Sequence, residues 1–527
     1  MRDHVVAVDV GTGSARAGVF DARGTLLAKA EHPILMNRPQ ENHAEHASDD
    51  IWSAVCTAVR AAMQAAGMVA ERIAAMGFDA TCSLVVRDRD GHPVTVSTGG
   101  ESRFDTIVWL DHRAVKEADY CTATAHRVME YSGQFMSPEM QMPKLMWLKA
   151  NLPASWEAAR YIFDLADFLV WKSTGSLLRS RCTLASKWNY LAHEASGWQE
   201  DFLGLIGLED LCERGSLLRE TLPVGQSAGH LTTEAADALG LDTDCRVSAG
   251  MVDAYAGALG VLGAFAGDPD VLDRQLGLIA GTSSCLVSLS ATRRPTRGLW
   301  GPYFEAVLPE RWLVEGGQSA AGALLDHIVR MHAAGGEPTT AVHQRIIARV
   351  QELRQVEGAE FGGRIHILPD FHGNRSPSAD PHAVGVISGV TLDASFDGLC
   401  RLYWRACGSI VLGIRHILET MKDYGYEPET LHVTGGQARN PLMTELYPDV
   451  TGCRVVIPEM NEAVLLGTAM GAAAASGLHA DLVVAGQGMK PAGTERLPDP
   501  ARQAFYDRDY RRFLAMLRHR AELEAME

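Results

Sequence analysis

The stretch "AVDVGTGSARAGVFD" at residues 7–21 places one apolar run before Gly11-Thr12-Gly13 and another after it. A Gly-rich turn after a strand is a common way to aim backbone N–H groups at a phosphate. The spelling is nearest to the dinucleotide fingerprint G-x-G-x-x-G, which needs a third small residue and a helix starting at the turn. Here Arg16 stands at the third position and "AGVFD" continues as a strand. The other common phosphate loop, G-x-x-x-x-G-K-[ST], is excluded because the chain has no Gly-Lys pair. The stretch therefore reads as a hairpin, with strands at 4–10 and 16–21. Two readings stay open. One is an ordinary hairpin with a solvated Asp9. The other is a phosphate cradle in which Thr12, Gly13 and Ser14 supply donors. In the cradle a cation separates Asp9 from the phosphates, and Mg²⁺, which keeps much of its water, suits that place.

A second copy favours the cradle. "LGLIAGTSSCLVSLS" at 276–290 repeats the order strand, Gly-Thr turn, strand, so Gly281, Thr282 and Ser283 form a second candidate phosphate turn. Two copies in one chain predict two related domains facing each other, gripping one triphosphate from both sides. "TGGQARN" at 434–440 adds a third Gly-rich loop between a strand and a helix; Gly436 there allows close approach of a flat base and Asn440 offers it a hydrogen bond.

Length and composition agree. At 527 residues, 46% hydrophobic and 21% charged, the chain has the balance of a globular protein with two large or three smaller domains. With 65 acidic against 48 basic side chains and a net charge of −17, there is no basic block to neutralise phosphates, so no nucleic-acid partner is expected. The ten cysteines form no C-x-x-C pair, which argues against a zinc or redox site. The start "MRDHVVAVDV" lacks a signal-peptide apolar stretch, and the Ala/Gly-rich run at 463–478 is too short to span a bilayer. A cytoplasmic protein with reduced thiols and no membrane partner is expected.

Periodicity predicts a helix at 48–67 with Ser48 as N-cap and Gly67 as stop, and a buried strand at 73–80. It also predicts a hinge-like stretch at 263–275, a long helix at 394–424, a strand at 453–458 and a buried helix at 463–478.

These pieces, in this order over residues 4–480, resemble the FGGY family of carbohydrate kinases. The marks are "DVGTGSAR" (9–16), "GFDATCSLVV" (77–86), "WLDHR" (109–113), "GMVDAYAG" (250–257), "GTSSC" (281–285), "EGGQSAAGALLDH" (315–327), "DFHGNRSP" (370–377) and "TGGQARN". Four of the stretches, "GFDATCSLVV", "SKWNY", "VEGGQS" and "DFHGNRSP", are most similar to the ribulokinase branch, above all its D-ribulose kinases.

The resemblance implies an α/β fold of two actin-like (ribonuclease H-like) ATPase domains around a cleft. A mainly sugar-binding N-terminal domain would cover 1–262, a mainly ATP-binding C-terminal domain 263–485, and a helical extension 486–527. It implies ATP and Mg²⁺ as cofactors, a small sugar as substrate, and leaves a homodimer as an open expectation.

By the same resemblance, Asp253 is the catalytic base and shares the Mg²⁺ water shell with Asp9. Ala80 (through its backbone), Lys187, Asp253 and Glu315 hold the sugar. Thr12, Gly13, Ser14, Gly281, Thr282 and Ser283 face phosphate, and Gly322, Gly436 and Asn440 lie on the nucleoside side. Kinases of the family that act on glycerol carry Arg-Glu where this chain has Cys82-Ser83, which argues against glycerol. D-ribulose is the expected substrate, with L-ribulose, xylulose and ribitol as alternatives. A non-catalytic, chaperone-like ATPase on the same fold is the rival of another class. Asp111, Arg113, Arg16, Asp326 and the 370–377 loop receive no settled role.

Overall fold

The computed structural model describes residues 2–526. Its first sheet is built from β1 (His4–Val10), β2 (Ser14–Asp21), β3 (Leu26–Pro33), β4 (Ile73–Ala80), β5 (Ser227–His230), β6 (Arg246–Ser248) and β7 (Met251–Val252). The strand order is β5-β6-β4-β1-β2-β3, with β7 pairing the far end of β4. β1 and β2 are antiparallel around the Gly-rich turn, and β1 and β4 are parallel.

The second sheet contains β8 (Gln275–Ala280), β9 (Ser284–Ser290), β10 (Trp300–Phe304), β11 (Trp312–Gln318), β12 (Thr430–Thr434), β13 (Arg454–Pro458) and β14 (Gly493–Arg496), in the order β10-β11-β9-β8-β12-β13-β14. The plan is repeated. β8 and β9 form the antiparallel hairpin, and β12 runs parallel to β8 as β4 does to β1.

Eight helices cover these sheets or carry residues of the cleft: α1 (Ser48–Ala65), α2 (Arg181–Lys187), α3 (Asp253–Leu262), α4 (Gly322–Met331), α5 (Phe396–Asp423), α6 (Pro441–Thr451), α7 (Ala463–Ser476) and α8 (Pro500–Glu524). The unbroken apolar run of β1 follows from cover on both faces. Val6, Val8 and Val10 pack with Ile51, Val55 and Val59 of α1. Val5 and Ala7, pointing the other way, join a core that holds Ala469 and Met470 of α7.

The two halves exchange helices. α7, from late in the chain, packs on β1 and β4 of the first sheet, while α3, from the first half, packs on β8 of the second. α3 and α7 also lie against each other so closely that a Cβ on Gly467 would fall 1.8 Å from the Ala256 carbonyl oxygen. No helix among the described residues is long and apolar enough to cross a membrane.

Three local expectations change. Ser48 does not cap α1: it is the first helical residue, and its hydroxyl and N–H both donate to the buried Asp105 carboxylate. The 263–275 stretch is not an open hinge: it folds into helical turns at Gly263–Phe265 and Pro269–Leu272, with Ala266 and Leu272 in the core. The 486–527 segment is not wholly helical: β14 pairs antiparallel with β13 and makes the edge of the second sheet, before α8.

Candidate active site

β1 and β2 end where the sheets face each other. Asp9 pairs with Arg16 across the hairpin and with Asp79 across the parallel pair. The Arg16 guanidinium donates to the buried Asp9 carboxylate. Burial pushes Asp9 up to about 6, against the pull of Arg16 and with the added push of Asp253. Burial, reinforced by Asp9, also drives Asp79 well above an ordinary carboxylate, which favours its protonated form. Asp79 Oδ2 accepts from the Thr468 hydroxyl, and Oδ1 has no partner.

Beside this cluster lies a cavity of about 300 Å³. Gly11, Thr12, Asp9 and Arg16 form one side, and Gly281, Thr282 and Ser283 line it from the second hairpin. The two Gly-Thr turns thus do face one space. Each is closed by a backbone bond, Gly11 N–H to Ser14 O and Gly281 N–H to Ser283 O. Gly13 is exposed, with nothing near the place of its missing side chain. Thr12 Oγ1 accepts from the Trp109 indole at 2.9 Å.

Asp253 opens α3 and lines the same cavity. Burial raises its pKa, opposed by the Ala254 N–H and by Lys187. Lys187, the last residue of α2, sends its buried ammonium to Glu315 Oε2 at 3.3 Å and sits 4.5 Å from the Trp300 ring centre. Burial alone would lower Lys187, but Glu315, together with Cys82, Tyr303 and Glu139, outweighs it and holds the ammonium above its usual value. Glu315, on β11, also accepts from Tyr255 Oη at 2.7 Å and Cys285 Sγ at 3.3 Å. Burial works to raise Glu315, yet Lys187 and Arg375 keep it below an ordinary carboxylate. The site therefore holds an ionised Lys–Glu pair beside a carboxylate with enhanced proton affinity.

The other residues expected from the sequence are spread around this cavity and behind it. Ala80 is fully buried at the end of β4, between Val10 and Val252, and its successors Thr81 and Cys82 line the cavity. Burial pushes the Cys82 thiol up to about 12, which suits a packing residue and not a nucleophile. Gly322 starts α4 and donates its N–H to Gly281 O at 3.1 Å. Gly436 is exposed at the mouth of the third loop, and Asn440 Oδ1 caps α6 by accepting from Leu442 N. Asp326 pairs with His343 at 3.0 Å, and His343 with Tyr403 at 2.9 Å.

"WLDHR" divides. Trp109 lines the cavity, whereas the Asp111–Arg113 pair is fully buried with Glu45 and braces the strand ends.

Four residues in or behind the cavity go beyond the sequence-based expectation: Arg375, Glu139, Trp300 and Gln437. Arg375 comes from the 370–377 loop, which Arg520 of α8 anchors through Asp370. It donates to both oxygens of Glu139 at 3.2 Å, over the Trp300 ring. Gln437, behind the third loop, donates to Gly281 O at 2.9 Å and accepts from Tyr447, tying the loop to the second Gly-Thr turn. The polar turn formers of "DFHGNRSP" are a signal for Arg375. Glu139 and Trp300 give no local signal: Glu139 meets Arg375 236 residues further on, and Trp300 meets Lys187 from the other half.

Comparison with known proteins agrees with this geometry. The N-terminal domain of the FGGY family of carbohydrate kinases matches residues 4–260, and its C-terminal domain matches 276–476. An FGGY carbohydrate kinase domain-containing protein of Homo sapiens is 42% identical over 99% of this chain and 98% of its own. A D-ribulokinase of Saccharomyces cerevisiae is 37% identical over 89% of this chain and 72% of its own. Among solved structures, a xylulose kinase from Rhodospirillum rubrum shares the fold, with a TM-score of 0.80 at 23% identity over 99% of both chains. Two repeated sheets, two facing Gly-Thr turns and matches to both family domains lead to one conclusion: this chain belongs to the FGGY family of carbohydrate kinases.

Proposed function

We infer that this carbohydrate kinase transfers the γ-phosphoryl group of ATP to the terminal hydroxyl of D-ribulose, giving D-ribulose 5-phosphate. The observation that carries the reading is the shared cavity: Asp253, Lys187 and Glu315 lie in one space with both Gly-Thr turns. The 37% identical D-ribulokinase supports the choice of sugar.

Phosphoryl transfer needs positioning, a proton acceptor and neutralised phosphate charge more than covalent help. Asp253, with its raised proton affinity, accepts the hydroxyl proton as the oxygen attacks. Lys187 and Glu315 hold sugar oxygens from opposite sides, one donating and one accepting. The backbone at Ala80 meets the sugar at the end of β4. Thr12, Gly13 and Ser14 on one side and Gly281, Thr282 and Ser283 on the other offer N–H and hydroxyl donors to the phosphates. Gly322, Gly436 and Asn440 border the nucleoside.

Asp9 and Asp253 fit Mg²⁺ as hard oxygen donors whose mutual repulsion a cation relieves. Among the described residues, the one grouping of three acid or His ligand atoms is Asp88, Asp90 and His92, where Asp88 already accepts turn amides. The cleft therefore suits an ion that takes most of its ligands from phosphates and water. When bound, it supplies charge neutralisation at the transferring phosphate. Closure of the two halves excludes water.

The test is ADP release with a panel of D-ribulose, L-ribulose, D- and L-xylulose and ribitol. D-ribulose is expected to give the highest kcat/KM. Turnover of another member without D-ribulose turnover would overturn the substrate assignment.

A further inference from the structure

We propose that the Arg375–Glu139 pair is the length ruler of the sugar site, closing it at five carbons. The proposal rests on the ketose-kinase reading above. Asp253, Lys187, Glu315 and Arg375 line one cavity, in which Lys187 pairs with Glu315, and Glu315 Oε1 lies 3.9 Å from Arg375 Nη1. Arg375 in turn meets Glu139 through Nη2, with 3.2 Å to each carboxylate oxygen. Both side chains are more than nine-tenths buried. The guanidinium lies over Trp300 at 5.0 Å and Trp109 at 5.7 Å from the ring centres.

Behind this pair is a second, smaller cavity of about 60 Å³, lined by His112, Met136, Ser319 and His372 among others. Three residues line both cavities: Glu139, Trp300 and Arg375. They form the partition between them. Arg375 comes from the second half and Glu139 from the first, so the partition is assembled as the halves meet. Arg375 Nε is buried without a partner, leaving a donor for the end of the sugar remote from Asp253. A ketose with one more carbon would have to displace a buried, doubly hydrogen-bonded ion pair to reach the free space beyond.

Removing only one partner would leave a buried charge, so the variants change both. Glu139→Gln/Arg375→Ala removes the bulk and joins the two cavities. Glu139→Gln/Arg375→Met removes the charge and keeps the bulk. For each purified full-length protein with ATP and Mg²⁺, kcat/KM is measured for D-ribulose and for D-psicose, which has one more hydroxymethylene. In the Ala variant the D-ribulose to D-psicose ratio is expected to fall about tenfold or more, the scale on which a pocket discriminates one carbon. In the Met variant it is expected to stay within about threefold of wild type. Adding Ser319→Leu to the Ala variant fills the second cavity and should restore the ratio.

An equal change in both variants, or none in either, would overturn the ruler. Loss of rate with the ratio intact would mean a structural role only, which also overturns it. If the protein uses another pentulose, the ratio is taken with that sugar, so the ruler and the D-ribulose assignment can fail separately.

Discussion

At the residue scale, Lys187 and Glu315 form the tightest test of how the proposed sugar frame is held. Each is about 3% exposed, so each needs the other. Breaking a buried pair by removing one partner typically costs about 3–5 kcal/mol, whereas removing both can be nearly neutral. Lys187→Met and Glu315→Gln are each expected to lower the thermal midpoint markedly. The double variant should recover much of the loss in stability, with no recovery of sugar turnover. Scanning calorimetry beside the ADP assay reads both. A second residue-scale expectation concerns Gly322. A Cβ there would sit 2.7 Å from the Gly281 carbonyl oxygen, within the second Gly-Thr turn, which is proposed to face phosphate. Gly322→Ala should raise KM for ATP, with an overpacking cost of about 1–3 kcal/mol, while KM for the sugar moves little.

At the element scale, the strand Tyr161–Asp164 runs into the helix Leu165–Thr174 through two buried acids. Burial, with repulsion from Asp167, pushes Asp164 up to about 7, and burial pushes Asp167 up to about 6. Both values exceed the ordinary 3.8, so the neutral acids favour the folded state. That stability is full below about pH 4 and is lost as pH rises through about 6 and 7. Asp164→Asn is therefore expected to raise the thermal midpoint at about pH 8 relative to wild type, and to give much less gain at about pH 5. Equal effects at both pH values would contradict the assignment.

The elements themselves are largely legible in the sequence. β1 and β4 declare themselves by apolar runs, β1 just before a Gly-rich turn, and the repeat of Gly-Thr-Ser at 281–283 gives away the second hairpin. Ser48 misleads because a Ser before two acids has the spelling of a cap, yet a distant Asp105 captures its hydroxyl. β14 escapes because its four residues are exposed and polar, so only pairing with β13 makes them a strand. Arg375, Glu139 and Trp300 converge from three remote segments, and no local pattern encodes such a meeting.

At the scale of the whole molecule, the exchange of helices joins the two halves into one cooperative unit. The chain's midpoint is a poor place to cut, because α3 and α7 each pack on the sheet of the other half. Heat should unfold the protein in one calorimetric transition. Gly260 and Gly467 mark the closest approach, where added Cβ atoms would fall 2.0 Å from Ala463 O and 1.8 Å from Ala256 O. Gly467→Ala should therefore destabilise both halves together, by at least the ~1–3 kcal/mol typical of overpacking. Two separated transitions in that variant would contradict the shared core.

The same arrangement puts Asp253, the proposed base, at the start of a helix that rests on the second sheet, so the proposed closure and base placement would move together. The most direct test of that account is ADP release from ATP and Mg²⁺, with and without D-ribulose, by the wild-type protein and by Asp253→Asn. The account predicts release that depends on D-ribulose in the wild type. In the variant it predicts a fall of about 100-fold or more, with nucleotide binding retained. Sugar-independent ADP release, or a variant that still phosphorylates D-ribulose at the wild-type rate, would contradict it.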